Sequence, residues 1–305
     1  MFLGPGLARA FYGVGILRGL AELGLRVESV SGAEFGGLIA GLYGIDGNIN
    51  DFEWRLLSLK TECLAKVYPS DPRRADVKKT ASKWVSRIWN GDKAGRSSIG
   101  ETECLDEAVG SIIRRAGVRT LSDFKVDTQF LLAEHSLDET ISSERFENRW
   151  VRTEDYPNEE AHLLLLSNSR VSVFHGESDL IRLSPGTKNS AADPTARWKV
   201  DESGGSAAFP PQEPLLWIDV LSSKKTKPKT GNSRIETDRA YSEGLRKTSL
   251  RLSQLRSRAD YRFSAPDLQS SPGYFDFSRR NEMIFEGKKA VAKWAEGFAQ
   301  GVESK

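Results

Sequence analysis

Near its start, the chain alternates apolar helical repeats with a short stretch typical of a β-strand. The first repeat consists of apolar residues at helical spacing: Val14, Leu17, Leu20 and Leu23. Residues 26–30 follow as a predicted strand, and a turn at Gly36 leads into a second apolar helical run that closes at Gly44. Two crossovers so close together predict a parallel sheet.

Residues 50–117 are predicted to be mostly helical. Apolar positions recur at helical spacing at both ends of this region: Phe52, Leu56, Leu59 and Cys63, then Leu105, Val109, Ile112 and Ile113. Gly117 is placed to end the second helix, and a polar segment around residues 69–98 separates the two.

Further strands are predicted at residues 129–133, 163–166 and 171–174. Residues 214–220 form a short apolar run bounded by prolines and by Ser-Ser, which is typical of a buried central strand. Helices are predicted over 239–255 and 282–299. Because no internal repeat or obvious linker interrupts this order, we expect residues 1–305 to form a single α/β domain.

The amino-acid composition excludes several classes of function. The 305 residues are 38% hydrophobic and 28% charged, with a net charge of +2, so bulk charge gives no reason to expect a nucleic-acid partner. The two cysteines, Cys63 and Cys104, are too few for a disulfide scaffold or a zinc module and favour a reducing compartment. Without an apolar run of roughly 20 residues to span a bilayer, we expect a cytoplasmic protein, with peripheral membrane contact left open.

The most specific motif is Gly32-Ala33-Glu34-Phe35-Gly36, which lies between a predicted strand and a predicted helix. This spacing matches the Gly-x-Ser-x-Gly elbow, in which glycines let the strand and helix pack closely while the middle residue is held at the helix N-terminus. Here the middle residue is Glu34. A glycine-containing loop, residues 4–10, precedes the first helix.

These features resemble the patatin-like phospholipases, in particular the bacterial group related to the neuropathy target esterase domain. From Arg9 to Gly37 the match needs no gap. Later pieces are also similar, namely residues 206–211 and a tail that includes residues 259–260, 266–268, 275–277 and 286–287. The resemblance implies a three-layer α/β/α patatin-like fold with a mostly parallel central sheet.

The resemblance also implies a Ser-Asp dyad that hydrolyses lipid acyl esters, with oxyanion donors from the glycine-rich loop. Carried over, the nucleophile position is Glu34, the elbow glycines are Gly32 and Gly36, and the oxyanion loop comprises Gly4, Gly6, Leu7 and Arg9. A carboxylate cannot simply replace the hydroxyl, because acylating Glu34 would give a mixed anhydride and its charge would occupy the oxyanion donors. Pro5 removes one further backbone donor.

The dyad aspartate has two alignments. In one, Asp219 takes the place of the family's Asp-Gly-Gly aspartate, although Val220 stands where a glycine belongs. In the other, residues 217–220 match a later family strand and the Asp-Gly-Gly block is deleted. The second is slightly favoured because a lysine-rich loop and a helix follow in the family's order. On either alignment the dyad is incomplete.

Other candidates have simpler explanations. Ser31 as nucleophile would need a register shift in the elbow, and Asp46-Gly47 is better explained as a helix-ending turn. The histidines, His135, His162 and His175, lack metal-ligand spacing, so we expect neither metal nor cofactor. The lysines at positions 224, 225, 227 and 229 favour a solvated loop over a lipid-phosphate contact.

The sequence therefore predicts a patatin-like protein without hydrolytic activity that binds a lipid, a membrane surface or an unknown protein partner. The alternative is an active lipid acyl hydrolase with a relocated nucleophile. Only Met1-Phe2-Leu3 precedes the glycine-rich loop, so we expect either a very short first strand or a truncated N-terminus.

Overall fold

The computed structural model describes residues 1–67, 99–138, 143–169, 214–221, 259–268 and 271–303. Six strands in these ranges form one sheet in the order β4-β3-β2-β1-β5-β6. Their bounds are β1 Phe2–Leu3, β2 Ser29–Ala33, β3 Asp127–Asp138, β4 Ser143–Arg152, β5 Leu216–Asp219 and β6 Tyr261–Ser264. The short β1 lies at the centre of the sheet, between β2 and β5.

The sheet is mostly parallel, as the close crossovers predict. Strands β1, β2, β3, β5 and β6 run parallel to one another, and within the described residues only β4 is antiparallel, to β3. Leu3 is level with Gly32 on one side and with Ile218 on the other. This register brings the carboxyl ends of β1, β2 and β5 to the same edge of the sheet.

Seven α-helices occur in the described residues: α1 Phe11–Glu22, α2 Phe35–Gly44, α3 Ile49–Ser58, α4 Thr61–Val67, α5 Ile99–Ala116, α6 Ala161–Ser169 and α7 Arg280–Glu303. Each contributes apolar side chains to one large core cluster, to which alternate strand residues such as Leu3 and Ile218 also belong. Their neighbours Phe2 and Trp217 belong to a second, smaller cluster. Because successive strand residues face opposite sides, the two clusters lie on the two faces of the sheet.

Several predicted elements are confirmed. The strands at 129–133 and 214–220 correspond to β3 and β5, the first helical repeat is α1, and the C-terminal helix is α7. Gly117 follows α5 with φ of +71°, a left-handed conformation that ends the helix as its position indicates. The Asp46-Gly47 pair is the turn that follows α2, with Gly47 at φ +68°.

Some predictions were wrong or imprecise. Residues 163–166, expected as a strand, lie inside helix α6, and a short apolar run does not distinguish a buried strand from a buried helix. The strand expected at 26–30 is displaced to Ser29–Ala33. The helical run beginning at residue 50 is two helices, because Leu59 after α3 adopts an extended conformation.

A disulfide joins Cys63 of α4 to Cys104 of α5, across a sequence separation of 41 residues. The sequence, in which two cysteines favour a reducing compartment, does not predict this bond. Composition counts cysteines but does not show which of them the fold brings together.

Three predicted elements lie outside the described residues: the strand at 171–174, the helix at 239–255 and the lysine cluster at 224–229. The resembling stretch 206–211 lies outside them as well, and so does the whole polar segment 69–98. No helix in the described part of the chain is long and apolar enough to cross a bilayer.

Candidate active site

Glu34 occupies the single-residue turn between β2 and α2, at the carboxyl edge of the sheet. Its backbone has φ of +52° and ψ of −130°, a conformation that L-residues other than glycine rarely adopt. Nucleophile elbows hold their central residue on a similarly sharp and strained turn. The chain therefore keeps the strained elbow while presenting a carboxylate at its tip.

The two elbow glycines are required by close backbone packing. A β-carbon on Gly32 would lie 2.6 Å from the carbonyl carbon of Gly36. A β-carbon on Gly36 would lie 2.5 Å from the carbonyl oxygens of both Leu3 and Gly4. The elbow thus packs directly against the start of the glycine-rich loop, which places residues 4–7 beside the turn that holds Glu34.

The backbone N–H groups of the glycine-rich loop differ in whether they are already hydrogen-bonded. The Gly4 N–H donates to Ile218 O (3.3 Å), and the Ala8 N–H donates to Tyr274 O (2.8 Å). Pro5 has no N–H to offer. Within the described part of the chain, the N–H groups of Gly6 and Leu7 have no hydrogen-bond partner. These two groups are the donors that an oxyanion could use.

Leu7 shares the backbone strain of Glu34, with φ of +46°. These two are the non-glycine residues with positive φ in the described ranges, and they lie on the two loops that meet at the site. Backbone strain of this kind costs about 1–3 kcal/mol per residue and is found mainly where function requires it.

Arg9 fixes the glycine-rich loop to the C-terminal part of the chain. Its side chain is fully buried, and its guanidinium lies 5.4 Å from the centre of the Tyr274 ring. The guanidinium donates hydrogen bonds to four oxygens: Val220 O (3.0 Å), Ser271 Oγ (2.6 Å), Pro272 O (2.9 Å) and Pro266 O (2.5 Å). Arg9 therefore anchors the glycine-rich loop to the C-terminal part of the chain. All four of these hydrogen bonds go to oxygens of the protein itself.

Tyr12 lies beside this network and is buried. Its hydroxyl donates to Ser264 O (3.1 Å). Burial, supported by the negative charge of Glu286, raises the pKa of Tyr12 to about 12, and the positive charge of Arg9 acts in the opposite direction. The phenol therefore stays neutral at physiological pH.

An aromatic cluster packs around the first residue of the elbow helix, α2. Phe35, the first residue of α2, has its ring 5.7 Å from that of Phe11 and 5.6 Å from that of Phe277. All three side chains are buried. The residue next to Glu34 is thus anchored in the core, which fixes the direction in which the helix leaves the turn.

The family model of the patatin-like phospholipases matches residues 1–169, more than half of the chain and the part that contains the elbow and the glycine-rich loop. The chain belongs to the patatin-like phospholipase family. It has the patatin fold, with a mostly parallel central sheet flanked by helices.

Among solved structures, this patatin-like chain is similar to full-length ExoU of the Pseudomonas aeruginosa type III secretion system, crystallised in complex with SpcU. The similarity covers 96% of this chain and 51% of the ExoU chain, at 13% sequence identity and a TM-score of 0.37. This patatin-like chain thus spans about half the length of the ExoU chain. No curated protein matches it.

Asp219, the candidate dyad aspartate of this patatin-like chain, is buried at the end of β5. Its carboxylate is engaged by the Arg262 guanidinium and by the Leu221 N–H (3.1 Å). Strand β1 separates β5 from β2, so Asp219 lies about 10 Å to the side of the end of β2. The structure places Asp219 on the same sheet edge as Glu34 but gives its carboxylate other partners.

Ser31 is inside β2 and fully buried. Its hydroxyl donates to Met1 O (3.3 Å), and its N–H donates to the same oxygen (2.8 Å). A nucleophile must be exposed to substrate at the tip of the elbow, whereas Ser31 lies three residues earlier in the strand.

The two histidines in the described ranges lie on different elements. His162 lies on α6, and its Nε2 is 2.9 Å from the Asp106 carboxylate of α5. His135 lies on β3, and His175 is outside the described residues. The described ranges contain no group of three or more side chains that could hold a metal ion.

Sequence reasoning identified the elbow and the loop but missed what holds them. Tyr274, Ser271 and the strained Leu7 carried no pattern that marked them for the site. Ser271 and Tyr274 contact Arg9 from more than 260 positions away along the chain, a relationship that sequence spacing does not show.

Proposed function

We propose that this chain is a non-hydrolytic member of the patatin-like phospholipase family that acts by binding a lipid or a protein partner. The observation that carries the proposal is the placement of Glu34 at the tip of an intact, strained elbow. The gapless match from Arg9 to Gly37 supports placing it in the neuropathy-target-esterase-like group.

The chemistry of a carboxylate at this position opposes acyl transfer. Attack by the Glu34 carboxylate on an ester carbonyl would form a mixed anhydride and would have to expel an alkoxide, a much poorer leaving group than a carboxylate. The turn that carries Glu34 also packs against the start of the loop that contains the N–H groups of Gly6 and Leu7. A carboxylate bound to such donors in the resting protein would leave them unavailable to the negative charge of a transition state.

The conformation of the turn supports a site that has the shape of the family's elbow but lacks its nucleophile. Glu34 makes no side-chain capping hydrogen bond to α2, so capping does not explain why a glutamate stands there. The positive φ of this residue costs stability and is retained all the same. A binding role for the site accounts for both features, because it needs the shaped elbow and loop without the nucleophile.

A relocated nucleophile would contradict this proposal, and Ser31 is the residue that the sequence suggested for it. Its burial and its bond to Met1 O oppose that role. In the described ranges, Ser29 also lies on β2, at the opposite end from the elbow, where its hydroxyl donates to Asp127 (3.0 Å).

The test is labelling of the purified chain with a serine-reactive fluorophosphonate probe, combined with assays on p-nitrophenyl esters and phospholipid vesicles. We expect no labelling and no turnover above that of a Glu34→Ala control. Hydrolysis that survives Glu34→Ala but is lost in Ser31→Ala would overturn the proposal in favour of a relocated nucleophile.

A second experiment separates the two binding roles. A nonhydrolysable phospholipid analogue should raise the unfolding temperature if the elbow binds lipid, because a ligand that binds only the folded state stabilises it. The matched control is Gly36→Ala, which is expected to displace the elbow from the glycine-rich loop. A rise in unfolding temperature that Gly36→Ala abolishes supports lipid binding at the elbow. No rise in the parent chain supports binding of a protein partner instead.

A further inference from the structure

A cavity of about 600 Å³ lies between α3, α4 and α5, on a part of the molecule distinct from the elbow. Its wall includes both cysteines of the disulfide, together with Trp54, Lys60, Glu107 and Arg115. Trp54 is 66% exposed, so the cavity has an aromatic side chain at its mouth. The volume is in the range of sites that take small molecules.

The cavity lining carries charges of both signs. Within the described part of the chain, neither Lys60 nor Arg115 makes an ion pair. Glu107 and Asp51 likewise make none in these ranges, whereas Arg55 is paired with Asp46. A small molecule that bears both carboxylate and ammonium groups would therefore find complementary charges there.

The disulfide forms part of the wall of this cavity. Cys63 is 8% exposed, while Cys104 is only partly buried and is the more exposed of the two. Thiol–disulfide exchange requires that the attacking sulfur reach a disulfide sulfur, so access is a condition for the reaction. Cys104 lines the cavity and is the less buried of the two residues, so attack by a thiol is expected at Cys104.

We propose that the Cys63–Cys104 disulfide is a thiol–disulfide exchange site, served by a small zwitterionic thiol that enters through this cavity. The thiol attacks Sγ of Cys104, and the positive charges of Lys60 and Arg115 attract its carboxylates. The inference does not depend on the chemistry of the elbow.

The exchange takes place in two steps, through a mixed disulfide on Cys104. The incoming thiolate forms a bond to Sγ of Cys104, the Cys63–Cys104 bond breaks, and Cys63 leaves as a thiolate that takes a proton from water. A second thiol then attacks the sulfur of the mixed disulfide that came from the first. Cys104 leaves as a thiolate and is protonated, and the two small thiols are oxidised to their own disulfide while the protein disulfide is reduced.

The fold does not depend on this bond alone. Leu64 of α4 and Leu105 and Val109 of α5 are buried in the main core cluster beside the cysteines. Apolar packing of this kind holds the two helices in place when the covalent link is absent. Single cysteine variants are therefore suitable for testing the site.

The first experiment counts thiols and maps the adduct. The chain purified in air should show no free thiol after denaturation until a reductant is added. Reduced glutathione added to the native protein, followed by acid quenching and peptide mapping, should give a mixed disulfide on Cys104. With oxidised glutathione, Cys63→Ser should be modified at Cys104 much faster than Cys104→Ser is modified at Cys63.

The second experiment tests the charges. Arg115→Gln should slow reduction by glutathione about fivefold, the effect of losing one charge close to an anionic reagent in water. Arg114→Gln is the matched control, since Arg114 is the exposed neighbour on α5 that does not line the cavity. Reduction by 2-mercaptoethanol, which has no charge besides its thiol, should be the same in all three proteins.

Several results would overturn the proposal. Free thiols in the air-purified chain would show that the bond does not form. An adduct on Cys63, or equal slowing by Arg114→Gln and Arg115→Gln, would show that the cavity does not direct the reaction. Circular dichroism of each variant distinguishes these outcomes from a loss of fold.

Discussion

Gly36 of the elbow helix packs so closely on Gly4 of the glycine-rich loop that a β-carbon on Gly36 would lie 2.5 Å from the Gly4 carbonyl oxygen. The distance is below any that real β-carbons show, and the atom in the way is backbone rather than a flexible side chain. The contact sets the position of the loop relative to Glu34. It explains why this chain has glycine at position 36.

Gly36→Ala should therefore destabilise the protein by about 1–3 kcal/mol, the usual cost of forcing a methyl group into a packed interior. Urea unfolding measures the change. Gly297→Ala is the control, because a β-carbon on Gly297 of α7 meets nothing within 4 Å. There alanine should be neutral, or stabilising by up to about 1 kcal/mol through its better helix propensity. Equal stability of the Gly36 variant and the parent chain would contradict the packing.

Arg9→Lys should lower the free energy of unfolding by about 3 kcal/mol or more. The Arg9 guanidinium donates to three carbonyl oxygens and one hydroxyl. A lysine ammonium cannot reproduce this planar arrangement of donors. Arg18→Lys is the matched control, since Arg18 is partly exposed and pairs with Glu22 and Glu53. Its cost should be below about 1 kcal/mol. Urea unfolding of both variants measures the difference, and similar losses would show that the buried network contributes little.

The stability of the chain should depend on Tyr12 at alkaline pH. Its folded-state pKa, raised to about 12 from 10.0, means that the unfolded chain releases the phenol proton first as pH rises. The stabilisation is fully present below pH 10 and is lost as pH rises towards 12, by up to about 2 kcal/mol. Chemical denaturation across this range should show the loss in the parent chain.

Tyr12→Phe supplies the comparison for that experiment, because phenylalanine does not titrate in either state. The free energy of unfolding of the parent chain should fall relative to that of Tyr12→Phe between pH 10 and 12. Parallel pH profiles would show that the Tyr12 phenol ionises at its ordinary pKa.

Local pattern predicts the first part of the fold well. Helix α1 and the elbow could be identified in the sequence because apolar periodicity and glycine spacing act over a few residues. The same reasoning failed at residues 163–166, where Leu164 and Leu165 are buried in a helix rather than a strand. A run of four apolar residues is compatible with either structure, and tertiary packing decides between them.

The candidate site shows the limit of local pattern more clearly. Glycine spacing predicts the place of Glu34 at the turn, and the family resemblance implies the role of the loop glycines. The anchoring of Arg9 by Ser271 and Pro272, in contrast, joins residues that are far apart in sequence. The Cys63–Cys104 bond depends in the same way on how α4 packs against α5. Such contacts are products of the whole fold, which a single sequence does not reveal.

The last prediction concerns repair of the elbow. Glu34→Ser restores the hydroxyl at a turn that already has the required shape, but it does not supply a base, because Asp219 is engaged by Arg262 and by the Leu221 N–H. Members of a catalytic unit contribute non-additively, so a nucleophile without its base gains little. We therefore expect a correctly folded variant with little or no esterase activity. Turnover of p-nitrophenyl esters by Glu34→Ser that is abolished by a further Asp219→Asn would show the opposite. Asp219 would then reach residue 34 as a base, and a single substitution at position 34 would be enough to give an esterase.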